Sequence, residues 1–143
     1  MKMIDEIKSL SNLLFDDIVA IRRHLHMYPE LSFKEEKTSR YIKSILKKWN
    51  IDFTEGYVNT GILVVLEGCN PKSKCVALRA DFDALPIIEE NEISYCSKNI
   101  GVMHACGHDA HTASMLGALK ILDDTKESWN GTIKFIFQPA EER

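Results

Sequence analysis

Three short stretches of the chain carry residue types that hold metal ions or move protons. Cys106 and His108 are separated only by Gly107. A thiolate and an imidazole at that spacing can both reach one borderline-soft cation such as zinc, cobalt or nickel, whereas magnesium and calcium prefer oxygen ligands. A buried cysteine beside a helix-capping histidine is the competing reading. Glu141 and Glu142 follow an apolar run and Gln138-Pro139 instead of standing on a polar helix. In extended chain neighbouring side chains point opposite ways, so one carboxylate can bind a cation while the other faces a water. Asp81 and Asp83 share one side if the chain stays extended there, which Leu85 ahead of Pro86 favours. Turn chemistry with a salt bridge to Arg79 is the alternative. His24 and His26 read as supports behind a site or at a sheet edge, not as ligands.

The elements that must position these groups follow from periodicity. Ile4, Ile7, Leu10, Leu14, Ile18, Ile21 and Leu25 form one stripe of an amphipathic helix that must stop before Pro29. Ser32 and Glu35 fit a capping box for a second helix, whose buried face is Thr38, Tyr41, Ile42, Ile45, Leu46 and Trp49. Residues 61–67 and 75–81 are short β-branched runs that read as strands, the second buried on both faces. Residues 84–107 look irregular, with a short excursion near Ile93 to Tyr95. Asp109 precedes a helix over 110–122, and residues 132–137 form a strand stopped by Pro139. Strand, helix and strand in that order predict a crossover with parallel strands, and ligands lie beyond the carboxyl ends of such strands. Seven groups should therefore meet on one sheet edge: Asp81, Asp83, Cys106, His108, Asp109, Glu141 and Glu142.

Composition narrows the function classes. The 143 residues suit one compact unit, without internal repeats or a Gly/Ser-rich linker. Eighteen basic against 21 acidic residues leave a net charge of −3, which offers no electrostatic basis for binding nucleic acid or an anionic membrane. No apolar run approaches the roughly 20 residues of a membrane span. The N-terminal sequence lacks a continuous signal core, so a cytoplasmic location is expected. The four cysteines include no CxxC pair. Cys69, Cys75 and Cys96 are expected to pack as small hydrophobes.

Four motifs taken together are more specific: Arg23-His-Leu-His26 with Pro29-Glu-Leu-Ser32, Arg79-Ala-Asp-Phe-Asp-Ala-Leu-Pro86, His104-Ala-Cys-Gly-His-Asp-Ala-His111 and Phe137-Gln-Pro-Ala-Glu-Glu142. In this order they resemble the aminoacylase/amidohydrolase branch of the M20 metallopeptidase family, which includes hippurate hydrolases, indole-3-acetyl-amino-acid hydrolases and N-acetyldiaminopimelate deacetylases. The resemblance implies an α/β fold with helices packed on a mixed, partly parallel sheet. Residues 1–143 would be the N-terminal portion of a zinc-peptidase-like catalytic domain. The rest of that domain, and the lid through which family members dimerise, would lie outside the chain. It further implies Cys106, His108 and Glu142 as metal ligands and Glu141 as the general base. Asp83 would be the acid that orients a ligand, while Asp81 stands where other branches carry a ligating histidine. Up to two divalent ions (zinc, manganese or cobalt) and an N-acyl amino acid or small peptide-like amide as substrate complete the expectation. The chain by itself is expected to be incomplete and inactive. The rival readings are a hydrolase with Cys106 as nucleophile beside His104 or His108, and a truncated non-catalytic remnant or metal-binding module.

Overall fold

Residues 3–143 are described in a computed structural model. The long helix α1 spans Met3–Met27 and ends ahead of Pro29, as its stripe and the proline require; it buries Ile21, Leu25 and His26. Helix α2, Glu36–Lys48, buries Thr38, Ser39, Ile42, Ile45 and Leu46. Strands β1 (Thr54–Tyr57), β2 (Gly61–Glu67) and β3 (Cys75–Asp81) follow, then helix α3 (His108–Asp124) and strand β4 (Thr132–Gln138).

The sheet order is β1-β2-β4-β3. Strand β4 runs antiparallel to β2, with Val64 opposite Phe135, and parallel to β3, with Cys75 opposite Thr132 and Asp81 opposite Gln138. The β3-α3-β4 crossover is therefore present, and the α/β class with a mixed, partly parallel sheet holds. Phe135 and Phe137 on β4 and Ile62, Val64 and Leu66 on β2 join Ile42, Leu46, Leu116 and Leu119 of the helices in one core. Gly117 lets α3 approach α1 closely, since a Cβ there would lie 3.2 Å from the Ile18 side chain.

Several expectations need correction. Strand β3 is not buried on both faces: only Ala80 and Asp81 are buried, because β3 is the edge of the four strands and its apolar pattern carries no information about sheet position. Ser32 and Glu35 form no capping box, and Glu35, the residue preceding α2, makes no side-chain cap bond. Residues 93–95 hold a turn and no strand, whereas the short strand β1 lay outside the periodic signals. Cys69 and Cys75 are exposed and Cys96 half-buried, so none of the three is a core residue. Helix α3 starts at His108, two residues before Ala110, from a left-handed Gly107 with φ 89°. That glycine turns the chain between the thiol and the imidazole.

Candidate metal centre

The carboxyl ends of β3 and β4 and the first turn of α3 bring the expected donors together. His108 is buried in their midst. Its Nδ1 lies 2.9 Å from the Asp83 carbonyl oxygen and 3.1 Å from Asp83 Oδ1. A carbonyl can only accept, so Nδ1 carries the hydrogen, and in the neutral ring the lone pair belongs to Nε2. Nε2 faces Asp81 Oδ1 at 3.5 Å, Glu141 Oε2 at 3.7 Å and Glu142 Oε1 at 3.8 Å. These separations exceed an ordinary N–H···O bond and leave room between nitrogen and oxygens.

Asp83 is the organiser. Its fully buried carboxylate accepts the Ser32 hydroxyl at 2.7 Å and the Glu142 N–H at 3.0 Å, both on Oδ2. Burial alone would raise its pKa, but the backbone N–H of Glu142, the Ser32 hydroxyl and the backbone N–H of Glu141 outweigh it and hold the group below the usual aspartate value. The ionised acid thus fixes the imidazole ring, as carboxylates behind ligating histidines do.

Cys106, His108 and Glu142 each offer one donor atom within 4.8 Å of the others, and Asp81, His108 and His111 form a second such trio. Thiol sulfur, imidazole nitrogen and carboxylate oxygen together suit a borderline-soft divalent cation, so the residues present fit the expected metal. The charge balance points the same way. Asp81, Asp83, Glu141 and Glu142 surround His108, while the guanidinium of Arg79 lies 3.2 Å from Asp81 and 3.9 Å from Glu141. Burial pushes the Cys106 thiol up to about 11, with the Glu142 carboxylate adding to it, so a cation bound there must displace the thiol proton.

Six of the seven expected groups meet here. Asp109 does not: it is buried on the opposite side of the α3 N-terminus, 2.7 Å from His26 Nδ1 and 2.9 Å from Arg22 Nε. Glu141 and Glu142 do not point opposite ways, because they lie in a turn that follows left-handed Ala140, and both reach His108. Asp81 contacts Arg79 and also faces His108. Sequence reasoning missed two contributors. His111, inside a quoted motif, places Nδ1 2.7 Å from Asp81 Oδ1. Ser32, whose spacing to Glu35 suggests a helix cap, instead donates to Asp83 behind His108.

The Cys106 nucleophile reading loses support. The raised thiol is the opposite of an activated one, and its sulfur is placed to donate to the Asp83 carbonyl at 3.9 Å. His104 is buried with neither ring nitrogen hydrogen-bonded, and burial lowers its pKa to about 4.

Comparison with known proteins agrees with this geometry. Residues 77–143 match the family described as peptidase family M20/M25/M40. The chain is 47% identical over 138 residues to an N-acyl-L-amino acid amidohydrolase of Geobacillus stearothermophilus, covering 96% of this chain and 37% of that protein. It is 47% identical over 125 residues to an N-acetyl-L-cysteine deacetylase of Bacillus subtilis, covering 87% of this chain and 30% of that protein. Among solved structures, a dinuclear metal-binding peptidase of the M20 family from Bacillus subtilis superposes with a TM-score of 0.85 at 40% identity, over 92% of this chain and 37% of that one. The chain thus spans about a third of the length of these relatives. In its motifs, its fold and its donor cluster, the chain is similar throughout to members of peptidase family M20/M25/M40.

Proposed function

We propose that this chain supplies the cation-binding part of a hydrolase that cleaves the amide bond of N-acyl amino acids or similar small amides. The observation that carries the reading is His108: Asp83 holds its Nδ1 while Nε2 is turned toward Asp81, Glu141 and Glu142, with Cys106 alongside. Cys106, His108 and Glu142 would hold a divalent cation, zinc, manganese or cobalt, with Asp81 and His111 available to a second. Such a cation polarises the scissile carbonyl and makes water a better nucleophile near neutral pH. Glu141 is the more exposed of the acid pair and is free to accept a proton from the attacking water and return it to the leaving amine. Asp83 keeps the imidazole in one tautomer, and Arg79 restrains both Asp81 and Glu141.

Residues 1–143 are read as the N-terminal portion of the catalytic domain, with the lid and further ligands supplied by chain outside it. A homodimer formed through that lid and a cytoplasmic location accompany the reading. Among the described residues no helix is long and apolar enough to cross a membrane. The 143-residue chain alone is expected to bind the cation without turnover.

The test is a panel of N-acetyl amino acids with cobalt or zinc, on a full-length enzyme containing this chain. Glu141→Gln should retain its metal and lose at least about a hundredfold in kcat, the scale of a general base. Unchanged turnover in that variant, or turnover that survives complete chelation, refutes the assignment.

A further inference from the structure

Glu35 is fully buried, and no side-chain bond of it serves the helix it precedes. Its Oε1 accepts the Ala140 N–H at 2.9 Å and the Phe33 N–H at 3.0 Å, while Oε2 accepts the Thr60 hydroxyl at 3.3 Å. Both backbone donors belong to non-glycine residues with positive φ, 64° at Phe33 and 54° at Ala140. Residues with a Cβ hold that conformation only where their surroundings impose it. Ala140 immediately precedes Glu141 and Glu142, whose carboxylates reach His108 only because the chain turns there. An apolar side chain would fill the same volume without desolvating a carboxyl group, but it could accept neither N–H.

We propose that Glu35 is a positioning residue: its carboxylate clamps the Ala140 peptide in the left-handed conformation and so aims Glu141 and Glu142 at His108. The consequence for cation binding rests on the metal-centre reading, while the clamp itself does not. The two are separated by measuring amide hydrogen exchange at Ala140 and cobalt binding, followed by the thiolate-to-cobalt absorption band, in the full chain. Glu35→Gln keeps an oxygen at the Oε1 position, and Thr60→Val removes only the Oε2 bond. Both should leave Ala140 protection and cobalt affinity within about threefold of the parent. Glu35→Leu should speed Ala140 exchange and weaken cobalt binding by about tenfold or more, the scale of a lost hydrogen bond to a charged group, with exchange at buried Phe135 unchanged.

Unchanged Ala140 exchange in Glu35→Leu overturns the clamp. Should that variant not fold, Glu35→Asp decides the matter: its carboxylate stops one methylene short of the Ala140 N–H, and unchanged Ala140 exchange in it overturns the clamp as well. If the parent chain binds no cobalt, the metal-centre reading fails, and the exchange data still decide the clamp.

Discussion

His26 and His108 are both buried imidazoles set among carboxylates on either side of the α3 N-terminus, and they are completed differently. His26 has Asp109 at 2.7 Å on one nitrogen and Glu89 at 3.0 Å on the other. Arg22 brings its guanidinium to Asp109, and Glu89 also accepts the Ser97 N–H at 2.5 Å and the Asn91 amide at 3.0 Å. Both ring nitrogens of His26 and both carboxylates are paired there. Around His108, one nitrogen is fixed and the other meets carboxylates that approach without bonding it. A completed network specifies structure, whereas a half-completed one with surplus negative charge is arranged for something that arrives later.

That contrast is open to measurement. The largest effect belongs to the completed side. Replacing His26 by leucine leaves Glu89 and Asp109 short of a shared donor, and should cost about 3 kcal/mol of unfolding free energy in urea denaturation. Cobalt affinity of the folded fraction should stay unchanged. His108→Ala should do the reverse, losing at least about a hundredfold in cobalt affinity, as deletion of a ligand warrants, while its denaturation midpoint moves little. If both variants lose stability and metal together, the division between the two histidines is wrong.

Ser32→Ala probes the support of the imidazole. One of the bonds holding Asp83 is lost, and cobalt binding should weaken by about tenfold, measurable by isothermal titration.

Acid gives the smallest effect. Burial alone would raise Glu89, but hydrogen bonds from Asn91, His26 and the Ser97 N–H hold it at about 2 against an ordinary 4.5. A carboxylate depressed by folding contributes its stability above the unfolded value and loses it as pH falls toward the folded one. Stability should therefore decline between about pH 4.5 and pH 2, by on the order of 1 kcal/mol after solvent screening. Glu89→Gln should remove that part of the slope.

Legibility in the sequence followed the range of the interactions. The stripe from Ile4 to Leu25 and the small-residue helix between two β-branched runs are local patterns, and they led to α1 and to the parallel crossover. The crossover in turn placed Asp81, Asp83, Cys106, His108, Glu141 and Glu142 on one edge. What misled was local grammar overruled by distant partners. Ser32 and Glu35 have the spacing of a helix cap, but Asp83 and Ala140 compete for them and win. Glu141 and Glu142 look extended after a strand, and only a bond from a residue 105 positions away shows why the chain turns. Asp109 stands beside His108 in sequence, yet the helix carries the two to different networks. The position of β3 at the sheet edge was equally hidden, since an apolar run is written alike for central and edge strands.

The turn at Gly107 sets one further condition on the chain. With φ at 89° and no atom within 4 Å of where a Cβ would stand, its side is open and only the handedness of the backbone excludes other residues. An L-alanine there would be strained whatever the room. A D-alanine, introduced by chemical synthesis, favours that half of the conformational map and would restrict the unfolded chain more than glycine does. Mirror-image chemistry at this single position should stiffen the hinge between sulfur and imidazole while leaving their separation intact.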